Sequence, residues 1–475
     1  MAATLAAATD YQIAARIERL PLSSWHVRIG IVICTGFFFD AFDAMTLAYA
    51  MPVLVGQWHL TPAQIGSAIS IGFIGQLFGA LAFGWIAERI GRVPAAIATI
   101  VIFSTMSLAC AFAWDLPSMM AMRFIQGLGL GGAIPVFATY VNEFASAERR
   151  GRFALSYQCA FAIGLPVTAW IGNLVVPNFG WQWMFIIGAV PGIVILPLAR
   201  LLPESPRWLA NHGRAEEADR TLSRIEAIIS HGGTRHLPPI PANMPTVRRS
   251  DARIGDLFRG IYLKRTLTVW TLWFCTYVIT FGFLTWLPTI WRTVYHMSLE
   301  QSLHYVSIFA IISFPGFLIT IALIDVIGRR RLFMIGLAAG TVLLLFLAIY
   351  PDPSPLLVLV TLSLTQLAVG MLALALSTYT AELYPTEMRA LGGGFGSAWL
   401  RIGSTTGPAL IGLMLPTLGL QSVFLVFGLV TLVGLVVCYF FAVETNRKVL
   451  EQLSPSLERA PNKKQLAASG VESMR

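Results

Sequence analysis

The feature that most constrains this chain is a series of apolar stretches, each about 20 residues long and so able to cross a hydrocarbon layer of roughly 30 Å as an α-helix. They fall near 28–51, 63–87, 93–113, 117–141, 153–176, 182–202, 267–291, 302–324, 332–350, 356–380, 393–416 and 421–443, which makes two sets of six. One long polar stretch, 203–265, separates the sets. A lone segment in lipid must satisfy its own backbone hydrogen bonds, so these segments have to be helices. The expected architecture is an all-α membrane protein of twelve transmembrane helices in two pseudo-symmetric six-helix bundles. A cytoplasmic N-terminal segment 1–27 precedes the first bundle, 28–202. A cytoplasmic linker 203–266, with a short amphipathic helix from Arg214 to Leu222, leads to the second bundle, 267–443, and a cytoplasmic tail 444–475 follows.

Composition closes off the alternatives. Only 12% of the 475 residues are charged and 56% are hydrophobic, with a mean hydropathy of +0.70, against about 25% charged in soluble domains. A soluble enzyme, a nucleic-acid-binding module and a disordered chain are therefore excluded. The five cysteines, Cys34, Cys110, Cys159, Cys275 and Cys438, lie inside apolar runs without a CxxC pair, so neither a metal nor a cofactor is expected. The first apolar run is full-length and has no A-x-A site after it, so no cleavable signal is expected. With both termini in the cytoplasm, 30 of the 33 lysines and arginines fall on the cytoplasmic side. The net charge of +9 is thus a signal of topology rather than of an acidic partner.

The halves repeat. Glu88-Arg89-x-Gly91-Arg92 follows the second segment, and Asp325-x-x-Gly328-Arg329 follows the eighth; Glu88 and Asp325 are 237 residues apart. Glu143 and Arg150 follow the fourth segment as Glu382 and Arg389 follow the tenth, both at an offset of 239. A near-constant offset marks a duplicated unit. The acids and arginines can pair between helices at the cytoplasmic face and gate the path, locking an outward-facing state and parting when it opens inward. Gly127, Gly129 and Gly132 match G-x-G-x-x-G but lie inside a membrane segment, where small residues serve close helix packing rather than a nucleotide.

Ionisable groups at membrane depth are costly and mark function. Asp40 and Asp43 in the first segment share a helical face at a spacing of three. Asp43 lies about 13 Å below the outer end at Pro52, and Arg123 about 9 Å below Pro117, so the two can pair. That pair can switch proton affinity when it moves, or it can be a static structural pair; the residues leave both readings open. Arg401 is near the midplane with no acid at its depth in its own half. A buried guanidinium needs an anion, best a carboxylate held by two hydrogen bonds, although Asp40 across the cavity is a second possible partner. Trp270, Trp273, Tyr277 and Phe281 form an aromatic stripe on the seventh segment. Tyr157, Gln158, Gln366, Tyr379, Phe37, Phe38 and Phe42 can complete a pocket of flat aromatic walls with one cation, which suits a small planar ring bearing a carboxylate.

The loop motifs, with Pro203-Glu204-Ser205-Pro206-Arg207-Trp208-Leu209, Glu382-Leu383-Tyr384-Pro385 and Glu444-Thr445, resemble the major facilitator superfamily, in the branch of sugar porters and organic-ion carriers. Glu88 stands where Asp is usual, and Ile321 and Val326 replace the usual Gly and Arg, so a weaker second latch is expected. The resemblance implies alternating access about a central site. It implies proton coupling at Asp43, with Asp40 second, and an anion rather than a cation at Arg401. It also implies pocket positions at Trp273 and Phe281. The Phe-Asp-Ala-Phe-Asp segment together with Arg401 looks most like niacin transporters, so nicotinate taken up with protons is the first expectation and benzoate-type acids the second. The short outer loop Gln57 to Pro62 favours a bacterial inner membrane, and a monomer is expected. Rival readings are a sugar–proton symporter, a drug–proton antiporter and a nutrient receptor that binds without turnover.

Overall fold

The computed structural model describes residues 12–21, 23–144, 150–199, 202–230, 236–240 and 253–446, without the side chains of 150–155, 198–199 and 386. Among these residues there is no strand. Ten helices are long and apolar enough to cross a membrane. In the first half they are α1 (Ser24–Trp58), α2 (Pro62–Ile90), α3 (Arg92–Cys110), α4 (Leu116–Phe144) and α5 (Arg150–Phe179). The shorter apolar stretch Gln182–Pro197 is α6. In the second half they are α7 (Ile261–Thr293), α8 (Leu299–Ile327), α9 (Arg329–Ile349) and α10 (Pro355–Leu383). The continuous run Thr386–Phe441 turns at Gly419, whose φ is 76°, and so supplies α11 before the turn and α12 after it. Twelve crossings result, with the linker helix Ala215–Ile229 between the bundles.

Local chemistry starts and stops these helices. Thr61 and Gln64 form a reciprocal cap on α2, with Pro62 at its first position, and Ser298 and Gln301 do the same for α8. Glycines set the spacing within a bundle. A Cβ on Gly75 would collide with the Phe124 carbonyl, and one on Gly127 with the Gly72 carbonyl, so α2 and α4 touch backbone to backbone. The glycine-rich run of α4 is therefore a packing surface. Gly164 brings α5 against α1, and Gly403, 239 residues on, brings α11 against α7.

The apolar core is divided unequally. At the end remote from the repeated acid–arginine loops, one cluster runs through both bundles and includes Phe42, Tyr49, Phe73, Trp286, Trp291 and Phe309. At the loop end each bundle has its own cluster, one around Phe83, Phe103 and Phe144 and the other around Phe333, Tyr379 and Tyr384. Hydrogen bonds agree: Ser70 Oγ donates to the Thr405 carbonyl at 2.7 Å, and Ser307 Oγ to the Ala169 carbonyl at 3.1 Å, both between bundles at the remote end. Gly66 and Gly412 let α2 and α11 meet there. The bundles are joined at the remote end and separate toward the loop end, where a long hydrogen bond from Gln158 to Ser377 Oγ, at 3.4 Å, still crosses the cavity.

Candidate functional site

Between the bundles is a cavity of about 340 Å³, lined from both halves. This lies within the range of small-molecule sites. Its strongest charge is Arg401 on α11, only 2% exposed. Nη1 donates to the Ser397 carbonyl at 3.1 Å and to Ser397 Oγ at 2.7 Å, while Nε has no partner. Among the described residues Arg401 makes no ion pair, and Asp40, which also lines the cavity, leaves a buried Oδ1 without a hydrogen bond. Asp40 is within the electrostatic reach of Arg401 but not in contact with it.

The wall beside Arg401 is a ladder on α7. Trp273, Tyr277 and Phe281 follow at intervals of four, so their rings stack, with centroids 5.5 and 5.8 Å apart and planes within 22° and 17°. Thr380 Oγ1 fixes Trp273 by accepting from its indole N–H at 3.0 Å. Across the cavity Tyr157 stacks on Phe37 at 4.5 Å, and Phe73 meets Phe281 edge-on at 5.1 Å to close the remote side. Three amides reach in, from Gln76, Gln158 and Gln366, of which Gln366 Oε1 is unpartnered. Gln158 donates to Ser377 Oγ at 3.4 Å, bridging the bundles on the loop side.

Asp43 does not face the cavity. It accepts two hydrogen bonds from Arg123 Nη1, at 3.0 and 2.9 Å, and one from Gln126 Nε2 at 2.6 Å, while Gln126 Oε1 accepts from the same Nη1 at 2.8 Å. Asp43, Arg123 and Gln126 are 2%, 5% and 0% exposed. Asp40 and Asp43, three residues apart, thus serve different neighbours: one the cavity, the other the seam between α1 and α4. Gln126 is the member that depth arguments missed, although it lies one turn from Arg123 on the same helix.

Several expected pocket residues belong elsewhere. Tyr379 is fully buried in the core of the second bundle, its hydroxyl accepting from the Val443 N–H at 3.0 Å. Phe38 is half-buried with its ring against Phe39, and Phe37 takes the cavity position in its place. Phe42 is fully buried in the core at the remote end. Trp270 faces away and packs with Phe395 and Trp399. An all-apolar helix has no moment to reveal its rotation, so the sequence could not distinguish these faces.

The loop-end networks are also corrected. Arg92 holds Glu88 at 2.9 Å and Glu143 at 2.8 Å; Arg329 holds Asp325 and Glu382, both at 2.9 Å. Arg92 also turns its Nε onto both Glu143 oxygens, at 3.1 and 3.2 Å, whereas Arg329 leaves a buried Nε without a partner among the described residues. The second network is therefore the weaker, as expected, and both are intact although the bundles stand apart here. Each ties helices within one bundle rather than locking one bundle to the other. Arg89 is no part of them: it lies over the Trp85 ring, 3.7 Å from its centroid. Arg389 donates to the Ala381 carbonyl at 2.9 Å, at the end of α10 where a cation is favoured. The Arg150 side chain lies outside the described residues. Two acids that the sequence reading gave no role complete the design. Glu204 accepts the Arg92 and Val93 N–H groups at 3.0 and 3.1 Å, and Glu444 those of Arg329 and Arg330 at 3.0 and 3.2 Å. Each acid caps a helix N-terminus, and their offset of 240 repeats that of the networks they support.

Twelve helices in two repeated bundles around one midplane cavity define a secondary transporter of the major facilitator superfamily. The chain belongs to the family described as sugar (and other) transporter, which matches residues 32–457. It is 34% identical over 439 residues to the niacin transporter NiaP of Acinetobacter baylyi, covering 92% of this chain and 98% of that one. It is 30% identical to the 4-hydroxybenzoate transporter PcaK of the same organism, covering 84% and 87%. Among solved structures, the partially occluded inward-open xylose transporter XylE from E. coli matches with a TM-score of 0.72 over 90% of this chain and 100% of that one, at 19% identity. That last likeness is one of fold alone.

Proposed function

We propose that this transporter imports a small aromatic monocarboxylate together with protons across a bacterial inner membrane, nicotinate first and benzoate-type acids second. The observation that carries the reading is Arg401, buried in the cavity and, among the described residues, with a free Nε and no acid paired to it, beside the stacked ladder of α7. A carboxylate completes the guanidinium, and the attached ring lies along the aromatic wall. Relatives named for niacin and 4-hydroxybenzoate support the same chemistry. The Asp43–Arg123 pair is the proton-coupling element. The loop end and both termini face the cytoplasm, in keeping with the distribution of the basic residues, and the protein acts as a monomer. The three cavity glutamines also suit a polyol, so a sugar–proton symporter is the second reading. Uptake of radiolabelled nicotinate into proteoliposomes, with and without an inward proton gradient, tests the proposal in wild type and Arg401→Ala. Gradient-driven uptake that the variant loses is the expected result. Uptake of xylose or glucose that nicotinate does not inhibit would replace this reading with the second.

A further inference from the structure

A groove of about 360 Å³ lies apart from the central cavity, on the second bundle. One wall is α7, with Leu267, Thr271 and Phe274; the other is α12, with Leu429 and Val433. Leu267, Leu429 and Val433 are 50%, 45% and 53% exposed, and all three stand on membrane-crossing helices. The groove therefore opens toward acyl chains rather than toward water. From Leu267 to Phe274 it runs about 11 Å along α7, within one leaflet of a hydrocarbon core roughly 30 Å thick. Left empty, such a furrow forfeits dispersion contacts on its lining atoms, and a lipid chain restores them.

The loop end of the groove is basic and aromatic. Lys264 precedes Leu267 by three residues and Thr271 by seven, so it stands at the rim on the same face of α7. It is exposed, and among the described residues its ammonium has no hydrogen bond or ion pair. Arg259 is 70% exposed and comes no closer than 3.6 Å to Asp256. Phe258, beside it in the chain, meets Trp270 edge-on at 5.6 Å, and Trp270 lines the groove. The Trp270 indole N–H has no acceptor among the described residues. On α12, Phe440 is seven residues beyond Val433 and 68% exposed, an aromatic ring at the level of the interface.

We infer that this groove is a binding site for an anionic phospholipid of the loop-end leaflet, of the phosphatidylglycerol kind. One acyl chain lies between α7 and α12, the phosphate sits at Lys264 and Arg259, and an ester carbonyl accepts from Trp270. The unpaired ammonium selects a headgroup of net negative charge. A zwitterionic headgroup brings a cation of its own to the same rim and gains less. Trp273 and Tyr277 stand on the other side of α7 and line the central cavity. Lipid and substrate thus occupy opposite faces of one helix, and the lipid site does not depend on which substrate the cavity takes.

The test is native mass spectrometry of the purified full-length protein, titrated with dioleoyl phosphatidylglycerol or with dioleoyl phosphatidylethanolamine. Wild type should hold one phosphatidylglycerol in preference to phosphatidylethanolamine. Lys264→Gln should weaken the phosphatidylglycerol complex about fivefold and narrow the preference accordingly. Val433→Trp, which fills the groove from its membrane-facing rim, should weaken the complexes with both lipids. The two variants stand on different helices at exposed positions, so a folding failure of one leaves the other to decide. Equal retention of the two lipids by wild type would overturn the inference, as would phosphatidylglycerol binding that Lys264→Gln does not change. Lipid retention unmoved by Val433→Trp would do the same, since the chain would then lie elsewhere on the surface.

Discussion

At the scale of single residues, a charge buried away from water requires a partner. Arg401 is almost sealed from solvent, yet among the described residues its hydrogen bonds go only to Ser397. A guanidinium in that state has donors in reserve for a ligand. Arg401→Ala should weaken nicotinate binding by about 2–3 kcal/mol, roughly 30- to 150-fold, because charge-assisted hydrogen bonds are lost. Arg401→Lys should recover little, since a point charge replaces a fork. Titration of both variants decides, and wild-type affinity in the alanine variant would dismiss the site. Asp43 is different, because its partner cannot be stranded cheaply. Asparagine keeps an oxygen for Arg123 but cannot take up a proton. Asp43→Asn should therefore sustain nicotinate counterflow while proton-driven accumulation disappears. Both rates can be measured in the same proteoliposomes, and normal accumulation would take the coupling role away from Asp43.

At the scale of helices, two tight turns recur. Gly91 and Gly328 begin α3 and α9 with φ of 108° and 93°, a region that side chains avoid. Each also leaves room for the acid that caps the following helix, since a Cβ on Gly91 would run into the Glu204 carboxylate and one on Gly328 into that of Glu444. Gly91→Ala should thus cost about 1–3 kcal/mol locally, and hydrogen exchange at the Arg92 and Val93 amides should quicken by roughly 5- to 150-fold. Unchanged protection would show that Glu204 keeps its place without the glycine. This turn also shows what the sequence made legible. Apolar length revealed the twelve helices, and charged loops repeating at a near-constant offset revealed the duplication, because both signals are local in the chain. The pairing of Asp43 with Arg123 was within reach of depth arithmetic. The positions of Tyr379, Phe38 and Trp270 were not, for they depend on the rotation of helices that are apolar all round. Nor were the capping roles of Glu204 and Glu444, whose partners lie 112 and 115 residues away.

At the scale of the whole molecule, the unequal division of the core is the basis of transport. A single cluster spanning both bundles at one end, with two separate clusters at the other, is the arrangement of a transporter closed at the remote end. Alternating access requires that closure to be reversible, so it should rest on contacts that release without stranding buried charges. The remote-end contacts fit this: two hydroxyl-to-carbonyl hydrogen bonds, an edge-on pair of phenylalanines and the glycine contact of α2 with α11. Gly66 is the most sensitive point, because a Cβ there would lie 2.9 Å from the Pro408 carbonyl oxygen, which is backbone and cannot turn aside. Gly66→Leu should therefore hold the remote end open, and the opposite end should close in compensation. The change can be read from a single cysteine placed at Gln76, in the cavity wall, with Cys34 and Cys159 replaced by serine. A membrane-impermeant maleimide should label it mainly from the loop side in the otherwise unaltered protein, and mainly from the remote side once Gly66 is leucine. Nicotinate uptake should fall with the same substitution while binding persists, because a site that is reached from one side only can hold its ligand without delivering it. Labelling that stays on the loop side would mean that α2 and α11 do not form the closure, and would transfer that role to the Ser307 contact between α8 and α5.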